Sequence, residues 1–424
     1  MATKSSWIPL SQLCEAIVDC EHKTAPVQDS GIPSIRTTNI KNGRLDLENA
    51  NLVSEETYKL WTARLEPQPN DLILAREAPV GEVGIVPRGK RVCLGQRTVL
   101  IRPDGKKLFP RYLLYLLLTP EMRHEMTCRA EGSVVPHLNM SDIRNFEIPP
   151  PPPLDEQKAI AHILGTFDDK IELNQQMNRT LEAIARAIFK SWFIDFDPVR
   201  AKMDQRQPAG MDAETAALFP DEFEDSPLGK IPKGWEVTDL GRLLNIYDSK
   251  RIPLSGRERT ARKGIYPYYG AASVMDYVDD YLFDGIYVLV GEDGSVVDGN
   301  GYPVIQYVWG KFWVNNHAHV LQGSKGISTE HLKLFLHQVN ILPYVTGAVQ
   351  PKLNQANMRR VPFILAPERV NSEFDIKISR LFAHFRANSE QNSTLTSIRD
   401  SLLPKLLSGE ICVKDAEKVL EEVM

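Results

Sequence analysis

Between Leu154 and Phe193, apolar side chains recur at alternating spacings of four and three: Ile160, Leu164, Phe167, Ile171, Leu181, Ala185, Ile188 and Trp192, with Asn174 and Asn178 filling the two remaining positions of the series. A 4-3 repeat held over more than four heptads is the seam of a coiled coil. It predicts one unbroken helix, about 55 to 60 Å long at 1.5 Å per residue. Prolines at 149–153 end whatever precedes it, because a residue before proline is held extended. Asp155 and Glu156 suit the positive end of the new helix dipole.

The same chain supplies a partner for this seam. From Phe374 the spacing gives Ile378, Leu381, Phe385, Asn388, Asn392, Leu395, Arg399, Leu402 and Leu406, each 214 residues after its counterpart. The paired asparagines recur at the same offset, Asn174/Asn178 against Asn388/Asn392. An asparagine on a wet edge is the plainer reading. Its repetition favours a register role, since a slipped pairing would bury the amide without a partner. Pro404 predicts a bend or an end near Leu403. Arg399 stands where the first seam has Ala185, so the distal end of the pair is expected to be looser or to face a partner subunit.

Outside the helices the pattern shortens. Apolar or alternating runs ("LILA", "VGIVP", "TVLIR"; later "IYVLV", "VIQYVW", "HVLQ") predict strands, and "RYLLYLLL" and "HLKLFLHQ" predict one apolar helix per module. The modules repeat: "GSVVPHLN" from Gly132 matches "GAVQPKLN" from Gly347, "LGQRTVLI" matches "VNNHAHVL", "DLILARE" matches "GIYVLVGE" with one extra residue, and Trp7 and Trp235 head the two halves. The expected organisation is a first module at 1–153, a helix at 154–196, a linker at 197–232, a second module at 233–367, a second helix at 368–410 and a tail at 411–424. The linker is acidic and proline-rich, with at most one short helix, capped by Asp212. The fold class is α+β, two mixed modules with two long coiled-coil helices.

Composition changes this picture little, and charge somewhat more. The chain of 424 residues is 42% hydrophobic and 25% charged, an ordinary globular balance. Its net charge of −5 divides into +1 for 1–150, −6 for 151–232, +2 for 233–365 and −2 for 366–424, so near-neutral blocks alternate with acidic ones as the repeat does. Five scattered cysteines without a CxxC pair suggest neither a disulfide framework nor a zinc site. No apolar run approaches the length of a membrane span and the N-terminus lacks a signal-peptide layout, so a cytoplasmic protein is expected.

The search for catalytic motifs is largely negative: no GxxxxGK[ST] loop, no HExxH, no GxSxG, and no asparagine- or aspartate-Pro-Pro-aromatic turn of the amino-methyltransferases. "GEDGSVVDGNG" lacks calcium spacing and its acids would repel phosphate, so it reads as a loop between strands. His317 and His319 would share one strand face, a spacing open to a metal, but no third ligand is in sight and no metal is expected. What the modules do carry is side chains that read bases beside cations that hold phosphates. In the first module these are Arg36, Thr38, Asn39, Lys41, Arg76, Arg91, Gln96 and Arg97; in the second, Lys250, Arg251, Arg257, Arg259, Arg262, Lys263, Tyr269, Asn316, His317 and Lys352. Arginine can pair with guanine, and Asn or Gln with adenine, through two hydrogen bonds each, while lysine mostly positions against phosphate. Any one of these segments could be a solvated loop. Two equivalent modules carrying such loops beside a rod of paired helices point to DNA.

The string "IPPPPPLDEQKAIAHILGTFDDKIELNQQMNRTLEAIARAIFKSWFIDFDPVRAKM", the linker "ALFPDEFEDSPLGKIPKGW", "NNHAHVLQ" and the ending "IRDSLLPKLLSGEI" resemble the specificity subunit of type I restriction-modification systems, over nearly the whole chain. The resemblance implies two target recognition domains, two antiparallel helices and internal pseudo-twofold symmetry. Each domain would read one half of a split target in double-stranded DNA, with the helices setting the spacer and docking two modification subunits. Those partners bind S-adenosylmethionine and methylate adenine at N6; two restriction subunits add translocation and cleavage driven by ATP with Mg2+. The resemblance implies no cofactor on this chain, no catalytic residue and no membrane, in a prokaryotic cytoplasm. A net charge of −5 is poor for gripping DNA unaided, which fits partners that complete the clamp. Two other classes remain: a self-sufficient DNA-modifying enzyme, which needs a cofactor or metal motif, and a coiled-coil adaptor that never touches DNA.

Overall fold

The computed structural model of the protein describes residues 6–132, 135–347 and 349–423. Ser133, Val134 and Ala348, within the two matching octapeptides, lie outside the described residues. The chain divides into two compact units, Met1–Asn174 with Glu390–Met424, and Gln175–Ser389. Both long helices, Leu154–Phe193 and Glu368–Leu407, cross that division, so each unit owns part of each helix.

In the first unit the core sheet has the order Cys14–Asp19, Thr98–Pro103, Leu72–Ala75, Val83–Ile85, all antiparallel. A smaller sheet sets Ile32–Ile35 between Asn51–Val53 and Cys93–Leu94, the last pair parallel. The "RYLLYLLL" segment forms the helix Pro110–Leu118, and its buried leucines and tyrosines pack into one core with Ile160, Leu164, Phe167 and Ile171 of the first long helix and Leu395, Leu402 and Leu406 of the second. Gln157 pins the start of the long helix: fully buried, its side chain accepts from the Phe109 amide (2.8 Å) and donates to the carbonyls of Lys107 (2.9 Å) and Pro152 (2.8 Å). Gly165 leaves room for the Arg111 guanidinium, whose Cζ would lie 2.7 Å from an added Cβ, and Arg111 reaches past it to Asp169 at 2.6 Å.

The second unit repeats this plan. Its main sheet has six strands in the order Leu244–Ile246, Ala318–Gly323, Phe283–Gly291, Ile305–Val314, Lys263–Tyr269, Val274–Val278. The long strand Ile305–Val314 does the work of two strands of the first unit. It pairs antiparallel with Phe283–Gly291, as Val83–Ile85 does with Leu72–Ala75, and its end pairs parallel with Tyr268 and Tyr269, as Cys93–Leu94 does with Ser34 and Ile35. In the first unit "RGKR" interrupts the strand, with Pro87 unable to donate and Gly89 at φ +70°. The helix Thr329–Leu336 takes the place of Pro110–Leu118. Here Phe189, Phe193 and Phe374 pack their rings against the fully buried His331, and Trp192, Phe219 and Trp235 extend the same aromatic cluster through edge-to-face and tilted contacts.

Within each unit the two long helices are antiparallel. In the first, Asp168 meets Arg399 (2.5 Å) and Asn174 meets Asn392 (2.9 Å); in the second, Asn178 meets Asn388 (3.0 Å). Two expectations need correction. Of the bend or end expected near Leu403, the end does not occur there: the second helix runs through Pro404 to Leu407. The proline falls in the final turn, where it removes only one amide, and burial of Leu402, Leu403 and Leu406 holds that turn in place. Arg399 does not loosen the pair; it joins Asp168, which also accepts from the Tyr115 hydroxyl at 2.5 Å. The linker is also more ordered than expected. It forms two short helices, Asp197–Met203 and Ala213–Ala217, the second capped by Asp212 onto the Thr215 amide (2.7 Å), and a hairpin of Phe223–Ser226 with Gly229–Pro232. Buried Val199, Phe219 and Ile231 anchor it in the core.

Candidate nucleic-acid interface

In the first unit the chain leaves Cys93–Leu94 through a tight turn at 95–97 before entering Thr98–Pro103. An added Cβ on Gly95 would lie 2.6 Å from the Ile35 carbonyl, so only glycine fits, and its amide donates to that same oxygen at 2.8 Å. The Thr98 hydroxyl closes the turn on the Gly95 carbonyl at 2.7 Å. Arg97 takes φ +68°, a left-handed backbone that is uncommon for a residue with a Cβ and often marks a functional turn. Its carbonyl accepts from the Arg76 amide (3.0 Å), and the Arg76 carbonyl accepts from Leu138 (2.9 Å). Glu77 in turn forms a bridge with His137. Four segments, around 36, 76, 96 and 137, are thus sewn into one cluster, and Arg36, Ser34, Asn51 and Gln96 line a shallow pocket on it. Nε of Arg97 lies 3.3 Å from Glu77, with the arginine side chain 54% exposed.

The second unit builds the same cluster with different side chains. The Asn315 amide donates to Tyr269 (3.0 Å), the Glu292 amide to His317 (2.9 Å) and the Leu353 amide to Glu292 (2.9 Å), while Asp293 bridges Lys352. His317 Nδ1 lies 2.5 Å from Asp293. Gly95, Gln96 and Arg97 therefore correspond to Asn315, Asn316 and His317. The ladders place Ala75 opposite Thr98 and Gly291 opposite Ala318, so Glu77 corresponds to Asp293, one residue beyond the Glu292 that ends the matched strings.

Of the residues expected to meet DNA, Arg36, Thr38, Lys41, Gln96, Arg97, Lys250, Arg257, Asn316, His317 and Lys352 have exposed or half-exposed side chains; Arg76 is half-buried. Among the described residues, Arg36, Lys41, Arg76, Arg257 and Lys352 have no acidic partner, and Lys250 lies over the Tyr247 ring. The clusters gather Arg36, Thr38, Arg76, Gln96 and Arg97 in one unit and Asn316, His317 and Lys352 in the other. Lys41 stands apart, on a hairpin whose other arm carries Arg44, bound to Glu172 and the Asp168 carbonyl on the long helix.

The remaining side chains serve the protein itself. Asn39 is buried, holding the Arg36 amide (3.1 Å) and the Asn49 carbonyl (3.3 Å). Arg91 makes two bonds to Glu55 (2.8 and 3.0 Å) over the Tyr58 ring, and the hydrogen bond from Arg91 holds the Glu55 carboxyl below its usual range. Arg259 lies against Asp276 and Tyr268, Arg262 against Asp279 and Trp313, and Lys263 against Asp276 (2.5 Å). The Lys263 bond is the first cause that keeps the Asp276 carboxyl low. Tyr269 packs edge-on to Phe312, where burial pushes its phenol up; it serves the turn through its backbone carbonyl. The basic stretch 250–263 is thus largely neutralised from within the domain.

Arg251, with its side chain only 12% exposed, lies behind the second turn: it bonds Glu292 (2.7 Å) and the carbonyls of Ala318 (2.7 Å) and Asp248 (3.1 Å). His317 and His319 do not share a strand face as expected, because His317 belongs to the exposed turn and His319 is fully buried. Asp248, Glu292 and His319 bring three ligand atoms within 4.8 Å of one another. Both ring nitrogens of His319 are already bonded, to Asp248 (2.6 Å) and the Leu353 carbonyl (2.7 Å), and the Arg251 guanidinium provides the cation. Burial raises the Asp248 carboxyl, but the His319 bond, the Val320 amide and Arg251 outweigh it and leave it low. The donor set is that of an internal ion-pair network, with no coordination position left for a metal. No long helix among the described residues is apolar enough to cross a membrane.

Comparison with known proteins agrees with this architecture. Residues 10–183 and 232–394 match the family described as type I restriction modification DNA specificity domain. The chain is 29% identical over 382 residues to the type I restriction enzyme MjaIX specificity subunit of Methanocaldococcus jannaschii, covering 86% of this chain and 82% of that one. It is 28% identical over 377 residues to the HindI specificity subunit of Haemophilus influenzae, covering 74% and 80%. The crystal structure of a type I restriction-modification S subunit from M. genitalium shares the fold at a TM-score of 0.54, with 17% identity and 95% of each chain covered. With two matched domains spanning most of its length, the chain belongs to the type I restriction-modification DNA specificity family and acts in DNA sequence recognition.

Proposed function

We propose that this chain reads a bipartite DNA target, each domain taking one half-site while the paired helices set the unread spacer and dock the methyltransferase subunits. The observation that carries this reading is the repeated cluster: two domains hold the same turn on the same three backbone hydrogen bonds, yet present different side chains. Equivalent frames with unlike surfaces suit two unlike half-sites. The chain itself is non-catalytic and binds no cofactor. Two modification subunits bring S-adenosylmethionine and methylate adenine N6, and two restriction subunits bring ATP and Mg2+, in a prokaryotic cytoplasm. The two clusters carry few cations without an acidic partner, Arg36, Arg76 and Lys352 among the described residues, which supports a clamp completed by partners. The domain limits proposed are 1–153 and 233–367 for recognition, with 154–196 and 368–410 as spacer helices, 197–232 as linker and 411–424 as tail.

The register of those helices is assigned to Asn174, Asn178, Asn388 and Asn392, whose amides bond across the seam. Inserting or deleting four residues in a helix shifts it by about 6 Å, against about 3.4 Å per base pair of duplex. Such a variant, assembled with its modification partner, is expected to methylate a target with the same half-sites and a changed spacer. An unchanged spacer overturns the ruler role.

A further inference from the structure

The strongest unexplained feature of both clusters is a carboxylate beside an exposed reading side chain: Glu77 at Nε of Arg97, and Asp293 at Nδ1 of His317. An acid on a DNA-facing surface repels phosphate, so its presence at the same place in both domains calls for a specific role. The two acids occupy one position of the repeat, fixed by the ladder register and by the bridges Glu77 to His137 and Asp293 to Lys352. The two reading side chains also occupy one position, the last residue of the turn.

The geometry suits orientation. The Glu77 carboxylate lies at Nε of Arg97, and among the described residues no hydrogen bond engages the terminal nitrogens, which leaves two donors on a side chain that is 54% exposed. Two such donors match O6 and N7 of guanine in the major groove. A long side chain loses less freedom on binding if it is already held. Asp293 likewise holds the ring of His317 at Nδ1, leaving Nε2 without a partner among the described residues on a half-exposed side chain, with the exposed Asn316 amide next to it in the turn to pair with adenine. The turns themselves are rigid: Arg97 is set at φ +68° by three segments of backbone, and Arg251 holds the second turn from behind.

We propose that Glu77 and Asp293 are positioning residues that aim Arg97 and His317 at base edges, making the turns at 95–97 and 315–317 the specificity-determining element of each half-site. This rests on the half-site reading above. It adds which residues discriminate, and it assigns a guanine contact to the first domain.

The test uses the full chain assembled with its modification partner, selecting binders from a duplex library in which both half-sites are randomised. Arg97→Gln is expected to relax preference for guanine at one position of one half-site by roughly 5- to 150-fold, leaving the other half-site unchanged. Glu77→Gln should relax that same position while binding to unrelated DNA and the thermal midpoint stay as in the parent, because a merely structural acid would alter stability without altering base preference. His317→Gln and Asp293→Asn should act together on one position of the other half-site, which keeps the proposal testable if a Glu77 variant fails to fold. Uniform weakening on all sequences, or preference unchanged in the four variants, overturns it. A parent complex with no sequence preference at all would instead refute the half-site reading, and the proposal with it.

Discussion

Replacing Asn178 by alanine is the sharpest test of the helix seam. Its side chain is 8% exposed and makes three hydrogen bonds: Nδ2 to the Phe385 carbonyl (3.1 Å) and the Ser389 hydroxyl (2.9 Å), and Oδ1 from Asn388 Nδ2 (3.0 Å). At about 0.5 to 1.5 kcal/mol net for each bond, with water partly replacing what is lost at the half-exposed Asn388 and Ser389, Asn178→Ala should cost about 2 to 3 kcal/mol. Asn388→Ala removes one of those bonds and should cost about 1 kcal/mol. The double variant should be little worse than Asn178→Ala, giving a coupling energy of about 1 kcal/mol. Amide hydrogen exchange over the helix segments near 178 and 388 reads this locally, as exchange roughly 30- to 150-fold faster for Asn178→Ala at about 1.4 kcal/mol per tenfold. Strict additivity of the two substitutions, or a change under about threefold, would refute the claim that this amide pair sets the seam. Asn174 offers a built-in contrast. It donates to Gln391 (2.8 Å) and Asn392 (2.9 Å), but its Oδ1 is buried without a partner, so its substitution should cost less than that of Asn178.

Other consequences can be measured alongside. Burial, with Lys333 and Arg186 nearby, pushes His337 down to about 4, so the unfolded chain takes up a proton below its ordinary 6.5 while the native state does not; stability is full above that value and falls as pH drops. By pH 5 the loss is about 2 kcal/mol, a drop of roughly 4 to 8 °C in the thermal midpoint of this unit relative to pH 7.5, and His337→Gln should remove that drop. Arg251→Met leaves the Glu292 and Asp248 carboxylates without their cation and should destabilise the second domain by about 3 to 5 kcal/mol, seen as a lower unfolding midpoint without DNA. Arg36→Ala should leave the unfolding midpoint alone; if Arg36 meets a phosphate, the salt dependence of DNA binding by the assembled complex becomes shallower by about one unit.

These contrasts reflect what a linear sequence can carry. The helices were legible because a heptad is a local pattern, and the offset of 214 linking Asn174 to Asn388 needs no structure to see. The strands were legible as short apolar runs. Which cations are free was not. Arg91 is neutralised by Glu55, Arg251 by Glu292 and Lys263 by Asp276, partners 36, 41 and 13 residues away with no periodic relation to them. Stretch 250–263 therefore reads as a basic patch and folds as a set of ion pairs. Glu77 and Asp293 are not legible as site residues from the sequence, because an acid near DNA repels phosphate and nothing local distinguishes these two. The signal that could have found them is positional: once the strands flanking "GQRT" and "NNHA" are aligned in register, one acid recurs across the ladder from each turn. Pro404 misled for a similar reason, since helix-breaking depends on how many turns follow and on what the leucines around it bury.

Under the function proposed above, this chain supplies sequence choice to a methyltransferase that has none without it. The decisive measurement is single-molecule sequencing of N6-methyladenine in host DNA, with and without this gene and with the modification partner intact. One bipartite motif should lose its methylation when the gene is removed, both half-sites and the spacer vanishing together. A methylome in which that motif persists, or in which no bipartite motif depends on the gene, would contradict it.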